Sequence, residues 1–144
     1  MGAEVRTVGL QFADSAAMQQ KFMTENGLGW DFVEVPGALR TCIKIFDESL
    51  KHTIEINESG APVPEISAGR LLERAVLAAQ VSSVIVLAGS LPAGFPEDFY
   101  YRCAARIKKE APQCRVAVDA EKKQLLKALL EKSLQDYLFW LMLD

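Results

Sequence analysis

The stretch Val84-Ile85-Val86-Leu87-Ala88-Gly89-Ser90-Leu91-Pro92-Ala93-Gly94-Phe95-Pro96-Glu97-Asp98-Phe99-Tyr100 holds the clearest fold signal in the chain. Residues 84–88 are apolar without a break and rich in β-branched side chains. Such a run predicts a strand covered on both faces, as in the middle of a parallel sheet. Gly89 and Gly94, with Pro92 between them, end any regular element. Pro96 suits the first turn of a helix, where a missing N–H is not needed. Glu97 and Asp98 then place negative charge at the positive end of that helix. Phe99, Cys103 and Ile107 recur at helical spacing and give the helix one apolar face. The unit is strand, Gly-rich loop, helix. In open α/β sheets, ligands bind just outside the carboxyl ends of strands, where Gly89 and Ser90 fall. A plain connection favours the same turn residues, so on chemistry alone a simple loop and a ligand loop both stand.

Working outward, residues 67–80 predict the preceding helix, with Ala68, Leu72, Ala75, Val76 and Ala79 on one face. Gly60-Ala61-Pro62-Val63-Pro64 reads as a short hinge. Before it, residues 41–47 and 53–57 each alternate apolar and polar side chains around the turn chemistry of Asp47-Glu48-Ser49. That pattern predicts an antiparallel hairpin with one face wet. Residues 5–10 and 30–35 predict two more strands. The helix between them is capped by Asp14 or Ser15, has Met18 and Phe22 on one face, and is stopped at Asn26-Gly27. Downstream, residues 115–118 predict a short strand ending at Asp119, and 122–132 a helix. The reading is one α/β unit over 1–132, a parallel sheet with flanking helices plus a small antiparallel hairpin at about 38–60. The apolar tail 133–144 fits none of it.

A chain of 144 residues can bury one sizeable core. The net charge of −3 leaves no basic footprint for nucleic acid, and no Lys/Arg-rich run marks a membrane surface. No apolar run approaches the ~20 residues of a membrane-spanning helix. Residues 1–7 carry Glu4 and Arg6 and no apolar core of a signal peptide, so a cytoplasmic location is expected. Cys42, Cys103 and Cys114 have unrelated spacings and read as small buried hydrophobes in a reducing compartment. His52 is the one histidine, without a local carboxylate or cysteine cluster, which leaves neither a zinc site nor a Ser-His-Asp triad supported. No metal site and no catalytic residue is assigned.

The order Gly89-Ser90-Leu91-Pro92-x-Gly94-x-Pro96-x-Asp98-x-Tyr100 resembles the middle of the PfkB (ribokinase-like) carbohydrate kinases, in the branch of 1-phosphofructokinase and tagatose-6-phosphate kinase. Arg40-Thr41-Cys42-Ile43 and Ile56-Asn57-Glu58-Ser59-Gly60 are similar to the two strand segments of that family's lid. The resemblance implies a partial ribokinase-like, Rossmann-like sheet with a small antiparallel lid. It implies ATP-dependent phosphoryl transfer to a hexose phosphate, with ATP and Mg as cofactors of the parent enzymes. Arg40 matches the lid arginine facing the sugar phosphate, and a guanidinium binds phosphate oxygens bidentately. Ser90 and Gly89 match the substrate end of the loop, whose N–H groups can form an anion-binding concavity. The alternative for Arg40 is a surface residue pairing with Glu34 or Glu55, and for Ser90 an ordinary turn role.

Asn57 and Glu58 lie in a lid motif and also suit local turn bonds. Asp119 matches a family Asp, but Ala120-Glu121-Lys122 departs from the small residues that follow it there, which favours a helix N-cap instead. The family's Gly-Gly-Lys-Gly, Asn-x-x-Glu and Gly-Ala-Gly-Asp segments have no counterpart in the chain. The expectation is therefore an internal piece or truncated relative of a sugar-phosphate kinase, inactive alone. It would bind hexose phosphate weakly, hold no ATP or Mg well, and self-associate through the lid. A non-catalytic interaction module using the hairpin is the alternative. An unrelated Rossmann-like nucleotide binder is disfavoured because no Gly-x-Gly-x-x-Gly or Walker motif follows a strand.

Overall fold

Apolar runs, Gly-Pro breaks and alternating segments settle into ten short elements in a computed structural model that describes residues 4–119. They are β1 (Arg6–Phe12), a single 3-10 turn (Ala13–Ser15), α1 (Ala16–Glu25), β2 (Gly29–Val35), β3 (Cys42–Asp47), β4 (His52–Asn57), α2 (Ile66–Gln80), β5 (Val84–Ala88), α3 (Phe99–Glu110) and β6 (Arg115–Asp119). The helix expected at 122–132 and the tail 133–144 lie outside the described residues.

The strands form three pairs. β1 runs parallel to β2, from Arg6 opposite Gly29 to Phe12 opposite Val35. β5 runs parallel to β6, from Val84 opposite Arg115 to Ala88 opposite Asp119. β3 and β4 make the antiparallel hairpin, with Ile43 opposite Ile56 and Ile45 opposite Ile54. The main core lies between α2, α3, β5 and β6, where Ala79, Cys103, Ile107, Val116 and Val118 are buried. Burying an aliphatic side chain of this size is worth about 1.5–3 kcal/mol. α2 buries the face its spacing predicted, and packs on β1, β2 and β5 as well as on α3. A smaller cluster of Val33, Val35 and Val63 sits where β2 meets the hinge.

The structure corrects several expectations. β5 is not covered on both faces: Val84 is 45 % and Val86 61 % exposed on one face while Leu87 on the other is buried, so among the described residues only one face is packed. α3 starts at Phe99 rather than at Pro96, whose carbonyl accepts the Phe99 N–H in the turn before the helix. Asp98 takes the N-cap position without a side-chain cap bond and pairs instead with Arg102, one turn on. In α1, Met18 and Phe22 are exposed and no residue is buried. The helix is tied to the sheet by polar bonds, with Gln19 Oε1 accepting the Phe12 N–H and Gln19 Nε2 donating to the Leu10 carbonyl. Ser15 caps nothing, and its Oγ accepts the Leu39 N–H. The hairpin is open to water on both faces rather than one. Cys42 is exposed on it, unlike buried Cys103 and Cys114. Gly27 has the left-handed φ of +62° that stops α1 as expected. No helix among the described residues is long and apolar enough to cross a membrane.

Candidate functional site

The site begins where β5 ends. Gly89 has φ +98°, a conformation that favours glycine, although a Cβ there would meet nothing within 4 Å. The need is thus for the turn and not for space. Tyr100, in the first turn of α3, reaches back to this turn. Its hydroxyl lies 2.9 Å from the Ala88 carbonyl and 2.6 Å from the Gly89 carbonyl, and is shared between them. Burial, helped by the charges of Cys103 and Asp119, pushes the Tyr100 hydroxyl up to about 12. It is therefore protonated at neutral pH and able to donate. The influence of Asp119 follows from the register, which sets it opposite Ala88 at the same sheet end.

A second lock holds the loop to the hinge. The Val63 N–H donates to the Ala93 carbonyl at 2.8 Å. Beside it Gly94 has φ +96°, and a Cβ there would stand 2.2 Å from the Val63 carbonyl oxygen. A side chain at 94 would force the hinge away from the loop. The hinge also carries the hairpin, so the loop and the base of the lid form one unit.

The hairpin base is tied in the same local manner. Glu58 Oε2 accepts the Thr41 N–H at 2.7 Å, and the Glu58 N–H donates to the Thr41 carbonyl. Asn57 bonds to Glu55, whose carboxyl is held below its usual range first by the bond to Lys44. These are the local bonds anticipated for Asn57 and Glu58. Gly60, at φ +75°, lets the returning chain pass Arg40, with an added Cβ only 3.5 Å from the Arg40 Cβ.

Arg40 then leaves the hairpin. Its guanidinium donates to Ser90 Oγ at 2.5 Å, across fifty residues of sequence. It pairs with neither Glu34 nor Glu55. Glu55 is engaged by Lys44 at 2.7 Å. The structure thus brings together Arg40, Gly89 and Ser90, all exposed or near the surface at the mouth of one loop. Asp119 joins them at the sheet end, while residue 120 and the N-cap reading of Asp119 lie outside the described residues. Tyr100 was missed as a site residue, although its place eleven residues after Gly89 in the same motif was visible. Its inward aim needs the helix start at 99, which the sequence reading had placed earlier. His52 is far from this constellation, at the hairpin's turn end opposite Asp47. Among the described residues no group of three or more His, Cys, Asp and Glu side chains gathers to hold a metal.

Known proteins resemble the chain in sequence and in fold. No protein-family profile matches the chain. The 1-phosphofructokinase of Xanthomonas campestris is 27 % identical over 128 residues, which are 89 % of this chain and 40 % of that protein. The 1-phosphofructokinase of Rhodobacter capsulatus is 34 % identical over 125 residues, 83 % of this chain and 37 % of that one. The chain therefore spans about 40 % of the length of the curated relatives it matches. In three dimensions it resembles Escherichia coli phosphofructokinase-2 solved with fructose-6-phosphate, with a TM-score of 0.75 at 19 % identity over 90 % of this chain and 42 % of that one. A possible 1-phosphofructokinase of Thermotoga maritima gives 0.70 at 22 % identity, covering 85 % of this chain and 38 % of that one. The sheet pairs, the projecting hairpin and the sequence matches agree: this chain is a partial relative of the PfkB carbohydrate kinases and carries part of their ribokinase-like fold.

Proposed function

We propose that the chain is the sugar-phosphate-binding part of a hexose-phosphate kinase and is inactive by itself. The observation that carries this reading is the Arg40–Ser90 bond, which sets a lid guanidinium on the strand-end loop. A phosphate entering there would replace Ser90 as the partner of the guanidinium and gain its bidentate fork, with the Ser90 hydroxyl and the Gly89 turn beside it. Tyr100 acts through the loop by fixing the Ala88 and Gly89 carbonyls. Phosphoryl transfer also asks for a metal against the phosphates, donors aimed at the γ-phosphoryl and a base near the sugar hydroxyl. ATP and Mg belong, in this reading, to the larger enzyme, which works in the cytoplasm on fructose 1-phosphate, fructose 6-phosphate or tagatose 6-phosphate.

Titration calorimetry with these three sugar phosphates tests the reading. Binding no tighter than roughly millimolar is expected, because so few contacts barely offset the lost freedom of the ligand. Arg40→Ala should abolish it, and Arg106→Ala, whose guanidinium is already held by Glu110 at 2.8 Å, should leave it intact. Equal loss from both variants would refute a specific phosphate site. A coupled assay with ATP and Mg should give no sugar-dependent turnover, and turnover lost in Arg40→Ala would refute the inactivity.

A second reading rests on the hairpin. Ile43, Ile45, Ile54 and Ile56 share one face and are each about half exposed. An apolar sheet face of this kind favours pairing with another copy through the lid. Light scattering at tens of micromolar should then show a dimer that Ile54→Lys disrupts, and a monomer would refute it.

A further inference from the structure

Arg40 is exposed, two residues ahead of β3, on a stretch without regular structure. A long side chain on such a stretch is ordinarily free to turn, and fixing it costs entropy. Its guanidinium nevertheless meets Ser90 Oγ, and no ion pair among the described residues includes it. Its aim therefore comes from the backbone that carries it. Both neighbours of Arg40 give their N–H groups to side chains. The Leu39 N–H donates to Ser15 Oγ at 3.1 Å, and the Thr41 N–H donates to Glu58 Oε2 at 2.7 Å. Two residues earlier the Gly37 carbonyl accepts the Asp14 N–H at 3.0 Å, so residues 14 and 15 grip the chain at 37 and again at 39. Gly37 has φ +91°, and a Cβ there would stand 2.9 Å from the Ala61 Cβ, so the entry to the hairpin is pinned against its exit.

The two bonds beside Arg40 are unequal. The Glu58 bond is exposed and competes with water, whereas the Ser15 bond is partly buried. The Ser15 bond also joins distant parts of the chain, linking the turn before α1 to the hairpin entry across 24 residues. Ser15 holds the N-cap position of α1, yet its hydroxyl makes no cap bond. A serine at that position ordinarily bonds the first turn of its own helix. Here the hydroxyl serves the segment that carries Arg40 instead. The other partner is fixed separately, by the Tyr100 bonds to Ala88 and Gly89, so Ser15 bears on the arginine alone.

We propose that Ser15, assisted by Glu58, is a positioning residue for Arg40: its hydroxyl holds the Leu39 N–H so that the guanidinium is already set over the Gly89–Ser90 loop before a ligand arrives. Ordering a side chain in advance lowers the cost of binding. What the guanidinium then binds rests on the sugar-phosphate reading above, while the brace itself rests on the bonds at 37, 39 and 41.

Two measurements on the whole 144-residue chain test this. NMR relaxation of the Arg40 Nε–H reads the brace with no ligand present. Ser15→Ala should make that group more mobile, and Ser15→Thr, which keeps the hydroxyl, should restore it. Thr24→Ala is the control, since it removes a hydroxyl bonded to the Gln20 carbonyl at the other end of the same helix, and it should change nothing at Arg40. The consequence for binding is read by NMR titration with fructose 6-phosphate up to about 50 mM. Ser15→Ala should weaken binding about threefold to tenfold, as the loss of one hydrogen bond does, and Thr24→Ala should leave it intact. An Arg40 Nε–H unchanged in Ser15→Ala overturns the proposal, and so does equal loosening by Thr24→Ala. Where the wild type binds, loosening by Ser15→Ala with no loss of affinity overturns it as well. If Ser15→Ala alone loosens the guanidinium and the wild type binds no sugar phosphate, the brace is upheld and the sugar-phosphate reading falls.

Discussion

The hairpin β3–β4 and the β5–α3–β6 unit both place apolar residues at regular spacing and end in opposite states. In the first, Ile43, Ile45, Ile54 and Ile56 stack in register and remain about half exposed. In the second, Cys103, Ile107 and Val118 are buried against α2. Alternation buries one face at most and needs something to lie on that face. Helical spacing on α2 and α3 lets two helices cover each other and the strands at once. The hairpin is therefore held by its ladder, the Lys44–Glu55 pair and the tie from Glu58, while the core is held by packing. Exposed pairs and surface turns contribute little each, about 0–1 kcal/mol. The core unit carries the stability, and the hairpin is free to present Arg40.

This contrast can be broken most sharply at Ile107, which is fully buried. Ile107→Ala should cost about 2–5 kcal/mol, a large part of the stability of a small domain. Urea unfolding should show the midpoint collapse, while the same truncation at Ile54 on the hairpin should not.

The joint between the two regions comes next. Gly94→Ala places a Cβ against the Val63 carbonyl in a left-handed conformation. Backbone strain there should cost roughly 1–3 kcal/mol. Because the strain falls between hinge and loop, the Arg40–Ser90 bond should loosen even where the core persists. NMR shifts of residues 40 and 89–94 should move together. A Gly94→Ala chain with wild-type shifts there would separate the hinge from the site.

A smaller effect depends on pH. In the folded chain burial pushes the Cys103 thiol from 9.0 to about 12 and the Tyr100 hydroxyl from 10.0 to about 12. Both acids resist ionising when folded, so the unfolded chain loses protons first. Stability is intact below pH 9 and falls as pH rises from 9 toward 12, through Cys103 first and Tyr100 from 10 upward. Denaturation midpoints between pH 8 and 11 should decline in the wild type and decline less in Tyr100→Phe. Tyr100→Phe should also start lower, having lost the bonds to Ala88 and Gly89. The carboxyls of the hairpin shift the other way, Asp47 and Glu55 being lowered by their bonds to Ser49 and Lys44.

The smallest expected change is at the hairpin face. Ile54→Ser should alter the unfolding free energy by no more than about 0.5 kcal/mol. A loss as large as that at Ile107 would show that the face is packed in solution, against another copy or another part of the protein.

The alternation of residues 41–47 and 53–57, the Gly-Pro spacing of 89–96 and the helical face of 67–80 were sufficient to place strands, loop and helices along the chain. These are local properties, set by periodicity and by the φ preferences of Gly and Pro, so they could be read without a partner in view. Helix α1 escaped that logic, since its apolar Met18 and Phe22 face water and Gln19 does the anchoring. The start of α3 escaped it too, because Pro96 serves equally in a turn. Only the tertiary structure could bring Arg40 to Ser90, turn Tyr100 onto the Gly89 loop and set Asp119 opposite Ala88. Only there does β5, central by composition, show an edge that no described strand pairs. Contacts between distant residues follow from how the elements pack, and a strand's neighbours are not written in the strand.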